Sequence, residues 1–196
     1  SFQLTDIAVA DNFVFLATKQ NGVFKYDFRN SLWQMISDHS QFAKDADAIF
    51  IFKGKIFIGT NGGGIFFSHD NGTSWTKKNN GLKNLIIRRI TAVGDKLYVG
   101  TNDGLYSLNE KTDRWTLEFG KQSLQVNGIT QLDNEIYIGT NQGAFKAEQN
   151  KNNWELILPN RSLHNIGSDG NSIYAMVYNE LLSSPDHGKT WQSRQQ

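Results

Sequence analysis

The 196-residue chain carries 20 basic and 19 acidic side chains, which give a formal net charge of +1, and it has no cysteine. Such a balanced charge argues against a nucleic-acid-binding surface, and no apolar run reaches the roughly 18 residues of a membrane-spanning helix. Because cysteine is absent, disulfides and thiolate metal sites are excluded, whereas the compartment stays open.

A short phrase recurs about every 40 residues and indicates a repeat architecture. Three apolar or aromatic residues precede each copy, and the copies are Ala17-Thr18, Gly59-Thr60, Gly100-Thr101, Gly139-Thr140 and a divergent Met176-Val177. One tryptophan falls in each repeat: Trp33, Trp75, Trp115, Trp154 and Trp191. The modules cover residues 1–40, 41–83, 84–122, 123–160 and 161–196, so we expect them to form a single domain.

The third module predicts four strands in chain order, over residues 89–93, 96–101, 105–108 and 114–118. Gly94-Asp95 is a turn between the first two strands, and Asn102-Asp103-Gly104 is the next turn, in which Gly104 suits a positive φ. The second strand is rich in β-branched and aromatic residues, and no segment has helical periodicity. Each module therefore reads as a four-stranded antiparallel sheet.

Repeated four-stranded sheets of this kind predict an all-β fold, a β-propeller of five four-stranded antiparallel blades. A single small sheet cannot bury both of its faces, so successive blades must stack around an axis. A flat β-solenoid is the alternative, but its coils are shorter, about 20 to 30 residues. The five blades either close a ring through modules one and five or form a segment of a larger ring.

Two modules carry a sharper motif, S-x-D-x-G-x-[ST]-W, between their third and fourth strands. Its residues are Ser68, Asp70, Gly72 and Trp75 in the second module and Ser184, Asp186, Gly188 and Trp191 in the fifth. The motif resembles the Asp box of BNR-repeat propellers, such as sialidases, xyloglucan-cleaving glycosidases, sortilin-type receptors and photosystem assembly factors. This resemblance implies that the box is structural and lies at the blade periphery, away from the ligand site.

The other recurring string, I-Y-[IV]-G-T-N-x-G, resembles the propeller repeats of two-component regulators, which are found in periplasmic sensor domains. That resemblance implies a secreted, periplasmic or cell-surface protein. The serine at position 1 fits this location if it marks a processed N-terminus, and a trimmed sequence would look the same.

Residues for catalysis are sparse in the sequence. The arginine triad of a sialidase cannot be placed among six arginines, and a glycosidase needs two facing carboxylates. Asp6, Asp45 and Asp47 lie near the start of first strands, and alternation places Asp45 and Asp47 on one face. Glu180, in a turn of the fifth module, is a more distant candidate for the second carboxylate. A solvated loop explains the same residues. The four histidines lack metal-ligand spacing and no cofactor motif occurs, so we predict no catalytic residues, metal or cofactor.

The turns between second and third strands all face one rim, because the blades are oriented alike. These turns supply a predicted ligand-binding rim of Asn21, Asn61, Asn102, Asp103, Asn141, Gln142, Tyr178, Asn179 and Glu180. The loops between blades, over residues 37–44, 77–89, 120–127 and 159–164, join the same face. Polar groups there suit a protein, peptide or glycan ligand. The alternative is that asparagine and glycine recur only because hairpin turns require them.

One of these loops departs from neutrality. Lys77, Lys78, Lys83, Arg88 and Arg89 place five positive charges around a short apolar stretch. The loop is either a docking site for an acidic partner or a solvated loop with an apolar anchor.

The sequence as a whole favours a non-catalytic ligand-binding or protein-interaction module of the sensor or scaffold type. The alternative is a carbohydrate-active protein, either a lectin or a glycosidase related to BNR-repeat hydrolases. Nothing in the sequence indicates nucleic acid as a partner or insertion into a membrane, and the pattern does not specify an oligomeric state.

Overall fold

A computed structural model describes residues 3–37 and 45–194, and it forms five separate four-stranded antiparallel sheets. Blade 1 contains β1 (Gln3–Ala10), β2 (Phe13–Lys19), β3 (Gly22–Asp27) and β4 (Leu32–Met35); blade 2 contains β5 (Ala46–Phe52), β6 (Lys55–Thr60), β7 (Gly64–Ser68) and β8 (Thr76–Lys77); blade 3 contains β9 (Ile87–Val93), β10 (Lys96–Thr101), β11 (Leu105–Asn109) and β12 (Arg114–Phe119); blade 4 contains β13 (Val126–Leu132), β14 (Glu135–Thr140), β15 (Gly143–Glu148) and β16 (Glu155–Pro159); blade 5 contains β17 (Leu163–Ser168), β18 (Ile173–Val177), β19 (Glu180–Ser184) and β20 (Gln192–Ser193). The predicted fold class is thereby confirmed.

Strands within every blade are ordered as they occur in the chain, and each pairs with the next by a hairpin. The innermost strands β1, β5, β9, β13 and β17 contact one another in succession. The loop predicted over residues 37–44, including the first module boundary, lies outside the described residues except for Ser37.

Because strand direction alternates, the ends of the strands form two edges of each blade, and these two edges carry different turns and loops. The turn between its second and third strands and the loops to neighbouring blades lie on one edge, which we call the rim. Hairpins between third and fourth strands, which include both Asp boxes, lie on the opposite edge. The rim and the boxes are therefore at opposite ends of the blades.

Each blade also has two faces, and strand alternation assigns residues to them. In blade 2 the face that contacts blade 1 carries Ile49 and Ile58, and we call this the backward face. The forward face, which contacts blade 3, carries Phe57 and Ile65. Four buried apolar clusters of this kind join blades 1 to 2, 2 to 3, 3 to 4 and 4 to 5.

Glycines in the repeated phrase allow these faces to approach closely. A β-carbon on Gly100 would lie 2.4 Å from the carbonyl oxygen of Val126, and one on Gly59 would lie 2.4 Å from Cγ2 of Ile87. Contacts so short require the absence of a side chain at these positions. The phrase that defines the repeat therefore also sets the spacing between blades.

Candidate ligand-binding rim

The predicted rim turns lie directly against the loops that lead into their blades. The side chain of Asn141 accepts a hydrogen bond from the backbone amide of Gln125 at 2.9 Å and donates one to the carbonyl oxygen of Ser123 at 3.0 Å. In blade 2 the backbone amide of Asn61 donates to the carbonyl oxygen of Asp45 at 3.0 Å. Turn and loop therefore form one connected surface at the rim.

Other rim residues are held by their own turns. Asn21 donates from its side chain to the carbonyl oxygen of Lys19 at 3.1 Å. Asp103 accepts from the hydroxyl of Thr101 at 2.7 Å. Asn179 has a φ of 59°, the left-handed conformation that asparagine tolerates in tight turns. Turn geometry thus explains part of the asparagine content.

The remaining rim residues differ in their surroundings. Gln142 donates from its side chain to the carbonyl oxygen of Ser123 at 3.4 Å, and Glu180 lies 3.6 Å from Arg161 in an ion pair. The side chain of Tyr178 is 79% exposed at the tip of its turn. Tyr178 is accordingly open to a partner, and Asn61 and Asn179 are exposed as well.

A β-bulge occurs at the same place in all five innermost strands. Each strand loses register with its neighbour just beside the repeated phrase, and the extra residue is Thr5, Asp47, Arg88, Asn127 or His164. Bulges re-aim side chains and are common beside functional sites. The five bulges set five unlike polar residues next to one another at the rim end of the innermost strands.

Two of the bulge residues connect neighbouring innermost strands. The hydroxyl of Thr5 donates to the carbonyl oxygen of Ala46 at 2.6 Å, and the side-chain amide of Asn127 donates to the carbonyl oxygen of Leu163 at 2.7 Å. In both pairs the acceptor is the backbone carbonyl of the residue that directly precedes the bulge residue of the following blade. The side-chain oxygen of Asn127 is buried and, within the described residues, accepts no hydrogen bond. A buried acceptor of this kind favours a ligand donor, since leaving it unpaired costs about 1–3 kcal/mol.

Opposite charges occupy the bulges of blades 2 and 3. Partial burial, followed by the nearby charge of Asp45, raises the pKa of the Asp47 carboxyl, while Arg88 acts in the opposite sense. Burial lowers the pKa of Arg88, and Asp47 partly offsets this effect. The guanidinium of Arg88 also donates to the side-chain oxygen of Asn102. An anion-binding and a cation-binding group therefore lie on adjacent innermost strands.

A surface cleft of about 500 Å³ opens on the rim at blade 3, between the loops that connect this blade to blades 2 and 4. It brings the predicted Asn102 and Asp103 together with Lys83 and Lys121. The cleft is lined by two cationic side chains and one carboxylate, so it suits a ligand that carries both an anionic group and hydrogen-bond donors.

The basic loop of blade 2 is divided in the folded chain. Lys78 pairs with Asp113, and Lys77 lies over the ring of Phe66 at 5.7 Å. Lys83 faces the cleft and Arg88 lies on an innermost strand. The five positive charges therefore do not act as one patch.

The carboxylates considered for glycoside hydrolysis have different surroundings. Asp6 accepts backbone amides on both oxygens, from Ile7 at 2.9 Å and from Ile49 at 3.0 Å. Asp47 is the extra residue of a bulge, so simple alternation does not describe its relation to Asp45. Throughout residues 3–37 and 45–194, no three histidine or acidic residues form a group that could hold a metal ion.

The Asp boxes hold the opposite edge by internal hydrogen bonds. Asp70 accepts from the backbone amide of Ser74 at 2.9 Å and from its hydroxyl at 2.6 Å. The hydroxyl of Ser68 accepts from the amide of Gly72 at 2.8 Å and donates to Asp70 at 2.7 Å. The fifth-module box repeats these contacts through Ser184, Asp186, Gly188 and Thr190.

The tryptophans of both boxes attach them to the preceding blade. Trp75 donates its indole N–H to the carbonyl oxygen of Ile36 at 2.8 Å, and Trp191 donates to that of Ile157 at 3.0 Å. Each box therefore stabilises a junction between blades at the edge away from the rim.

The family model of a DUF6242 beta propeller domain matches residues 7–125, which is more than half of the sequence. The chain belongs to this DUF6242 beta propeller domain family. No functionally curated protein gives a significant match to the sequence.

Solved propellers share the fold of this domain. The extracellular domain of the hybrid two-component system BT4673 from B. thetaiotaomicron has 20% identity and a TM-score of 0.83, with 97% of this chain and 27% of that chain covered. The GH74 enzyme of Niastella koreensis has 16% identity and a TM-score of 0.76 over 97% of this chain and 38% of that chain. YCF48 bound to D1 peptide has 16% identity and a TM-score of 0.73, with 97% of this chain and 66% of that chain covered.

These similarities confirm the resemblance to two-component-regulator and glycosidase-type propellers at the level of the fold. The chain spans about a quarter of the length of the BT4673 chain that it matches. The described residues contain no helix long and apolar enough to cross a membrane.

Of the five bulge residues, the sequence singles out Asp47 as a carboxylate candidate and Arg88 as part of the basic loop, but it does not place the five side chains together. A bulge is a property of strand pairing, so a single strand does not reveal it. A signal does exist in the repeat: each bulge residue stands two positions before an isoleucine, at Ile7, Ile49, Ile90, Ile129 and Ile166.

Proposed function

We propose that this propeller domain is a non-catalytic binding module that holds a protein or peptide segment at its rim. The supporting observation is the row of bulges, which sets Asp47, Arg88 and Asn127 on three adjacent innermost strands. A peptide presents backbone donors and acceptors together with charged ends or side chains. Opposite charges and a buried amide oxygen match those groups.

The cleft at blade 3 extends this surface outward. Asn102 links the two parts, since it accepts from Arg88 and also lines the cleft. A segment of several residues could then contact the bulges with one end and the lysines of the cleft with an acidic group. The complex of YCF48 with D1 peptide and the extracellular location of the BT4673 domain are consistent with a binding role outside the cytoplasm.

The experiment is a peptide-library screen on the whole domain, followed by titration calorimetry of the best ligand. Arg88→Gln is expected to weaken binding by roughly tenfold or more, because one charge-assisted hydrogen bond contributes about 1.5–3 kcal/mol. Lys111→Gln removes the same charge from an exposed hairpin at the box edge and should leave the affinity unchanged. Equal effects of the two variants would contradict a rim site.

A carbohydrate-active domain, either a lectin or a glycosidase, is the second candidate. Its specific support is Asp47, since partial burial and then the nearby charge of Asp45 raise the pKa of its carboxyl. Xyloglucan oligosaccharides and a glycan array distinguish the cases. Turnover that is lost in Asp47→Asn would establish a glycosidase, and binding without turnover would establish a lectin. If the domain shows neither turnover nor glycan binding, the peptide-binding proposal stands alone.

A further inference from the structure

One isoleucine position has the same role in four blades and a different environment in the first. Ile49, Ile90, Ile129 and Ile166 are 2%, 3%, 6% and 4% exposed, and each belongs to the cluster that joins its blade to the preceding one. The equivalent residue of blade 1 is Ile7, which pairs with Leu16 as Ile49 pairs with Ile58. Ile7 is 59% exposed.

The residue before the bulge repeats this contrast. Ala46, Ile87, Val126 and Leu163 are all 0% exposed, whereas Leu4, their equivalent in blade 1, is 60% exposed. Together with Val9 and Trp33, these side chains make the backward face of blade 1 an exposed apolar sheet face. An apolar groove of about 260 Å³ runs along it, lined in part by Leu4, Leu16 and Trp33.

The tryptophans give an independent indication of what such a face contacts. Trp75, Trp115 and Trp191 donate their indole N–H groups to carbonyl oxygens of the preceding blade. Trp154 stacks on Phe119 of the preceding blade, with ring centroids 5.0 Å apart. Trp33 stands at the same repeat position and is 54% exposed.

We propose that the backward face of blade 1 is a docking surface for one further four-stranded blade of the same repeat type, outside the five described here. The contacts made by four equivalent faces specify that partner. Its second strand must carry glycine or alanine where Ala17, Gly59, Gly100 and Gly139 stand, because a larger side chain there would collide with Leu4. Two residues earlier it carries an aromatic ring, as at Phe15, Phe57, Tyr98 and Tyr137.

Blade 5 of this chain, or of a second copy, does not meet that specification. Its forward face has Met176 at the glycine position and Leu181 beside it, and these side chains are 51% and 39% exposed. Arg194 and Ser183 form a hydrogen bond on the same sheet at 2.6 Å. A partly polar outer face with a bulky residue at the contact point is typical of a terminal repeat. Closure of blade 1 on blade 5 would need packing unlike that of the other four junctions.

The test uses the 196-residue chain and an extended chain with an added blade. Light scattering gives the oligomeric state, and hydroxyl-radical footprinting measures the labelling of Ile7, with the buried Ile49 as internal reference. In the 196-residue chain we expect a monomer in which Ile7 is labelled much faster than Ile49.

The extended chain carries a second copy of residues 123–160 ahead of Ser1. Three residues then separate the copied Asn160 from Leu4, against two between Asn160 and Leu163 at the natural junction. This copy presents Tyr137 and Gly139 to blade 1, so labelling of Ile7 should fall by roughly tenfold. Gly139→Met in the added copy alone is the matched control and should restore the labelling.

Three results would overturn the proposal. The 196-residue monomer could protect Ile7 as it protects Ile49, which would mean that the ring closes through blade 5. A dimer that protects Ile7 would identify a second copy as the occupant. Labelling of Ile7 that is unchanged by the added blade would show that this face does not accept a blade at all.

Discussion

Trp115 of blade 3 donates its indole N–H to the carbonyl oxygen of Lys78 in blade 2, across 2.7 Å. The ring is 1% exposed and also belongs to the apolar cluster between the two blades. One residue thus combines a hydrogen bond with apolar burial at the outer part of a junction. The same arrangement at Trp75 and Trp191 shows that it belongs to the repeat.

Replacement of this tryptophan should therefore destabilise the domain. We expect Trp115→Phe to lower the free energy of unfolding by about 2–4 kcal/mol, because it leaves the Lys78 carbonyl without its donor and creates a cavity. Urea denaturation measures the change. Trp33→Phe is the matched control in blade 1, where the ring is half exposed, and a cost as large as that of Trp115→Phe would contradict this explanation.

The glycine of the repeated phrase is a second test of blade spacing. Gly100→Ala should destabilise the domain by about 1–3 kcal/mol, since the new methyl group would lie 2.4 Å from a backbone oxygen that cannot move without shifting β13. Thermal unfolding measures the loss. Gly167→Ala in β17 has no atom within 4 Å of the added carbon, so we expect it to be neutral or slightly stabilising.

Much of this arrangement follows from the repeat in the sequence. The phrase around Gly100-Thr101 predicts the strands of blade 3 to within about two residues, and β9 begins at Ile87 instead of Arg89 because the bulge adds length. The bulges themselves depend on how two strands pair. The sequence therefore places polar residues on the innermost strands but does not show in which direction their side chains point. The open backward face of blade 1 is also invisible in sequence, since Ile7 matches its four buried equivalents.

The second Asp box makes the stability depend on pH at the acidic end. Hydrogen bonds from the hydroxyl and amide of Thr190, and then from Ser184, lower the pKa of Asp186 to about 2. A depressed carboxyl pKa stabilises the folded state above the unfolded value of about 3.9 and loses that contribution as the pH falls toward 2. Wild type should therefore lose stability between pH 5 and pH 2.

Asp186→Asn should flatten this part of the profile, because the variant has no carboxyl to protonate. Thr190→Val removes one hydroxyl donor and should give an intermediate slope. Chemical denaturation at several pH values measures both slopes. Parallel profiles for wild type and Asp186→Asn would rule out the box as the source of the acid dependence.

A buried tyrosine at the junction of blades 4 and 5 controls a neighbouring carboxyl. Burial favours the protonated form of Glu135, but hydrogen bonds from Tyr137, Lys146 and His187 outweigh it and lower the pKa. Tyr137→Phe keeps the fully buried ring and removes one donor, so the pKa of Glu135 should rise. Carbon-detected NMR titration of the Glu135 carboxyl measures the shift.

The matched control is Tyr174→Phe, which removes a hydroxyl that donates to Asp169 at 2.8 Å on an exposed turn. It should leave the titration of Glu135 unchanged, because the two tyrosines lie in different blades and share no partner. Since Glu135 also contacts His187 of blade 5 at 2.9 Å, its protonation weakens a link between blades. The midpoint of acid unfolding should therefore lie at a higher pH for Tyr137→Phe than for wild type. An unchanged midpoint would show that this cluster does not stabilise the junction between blades 4 and 5.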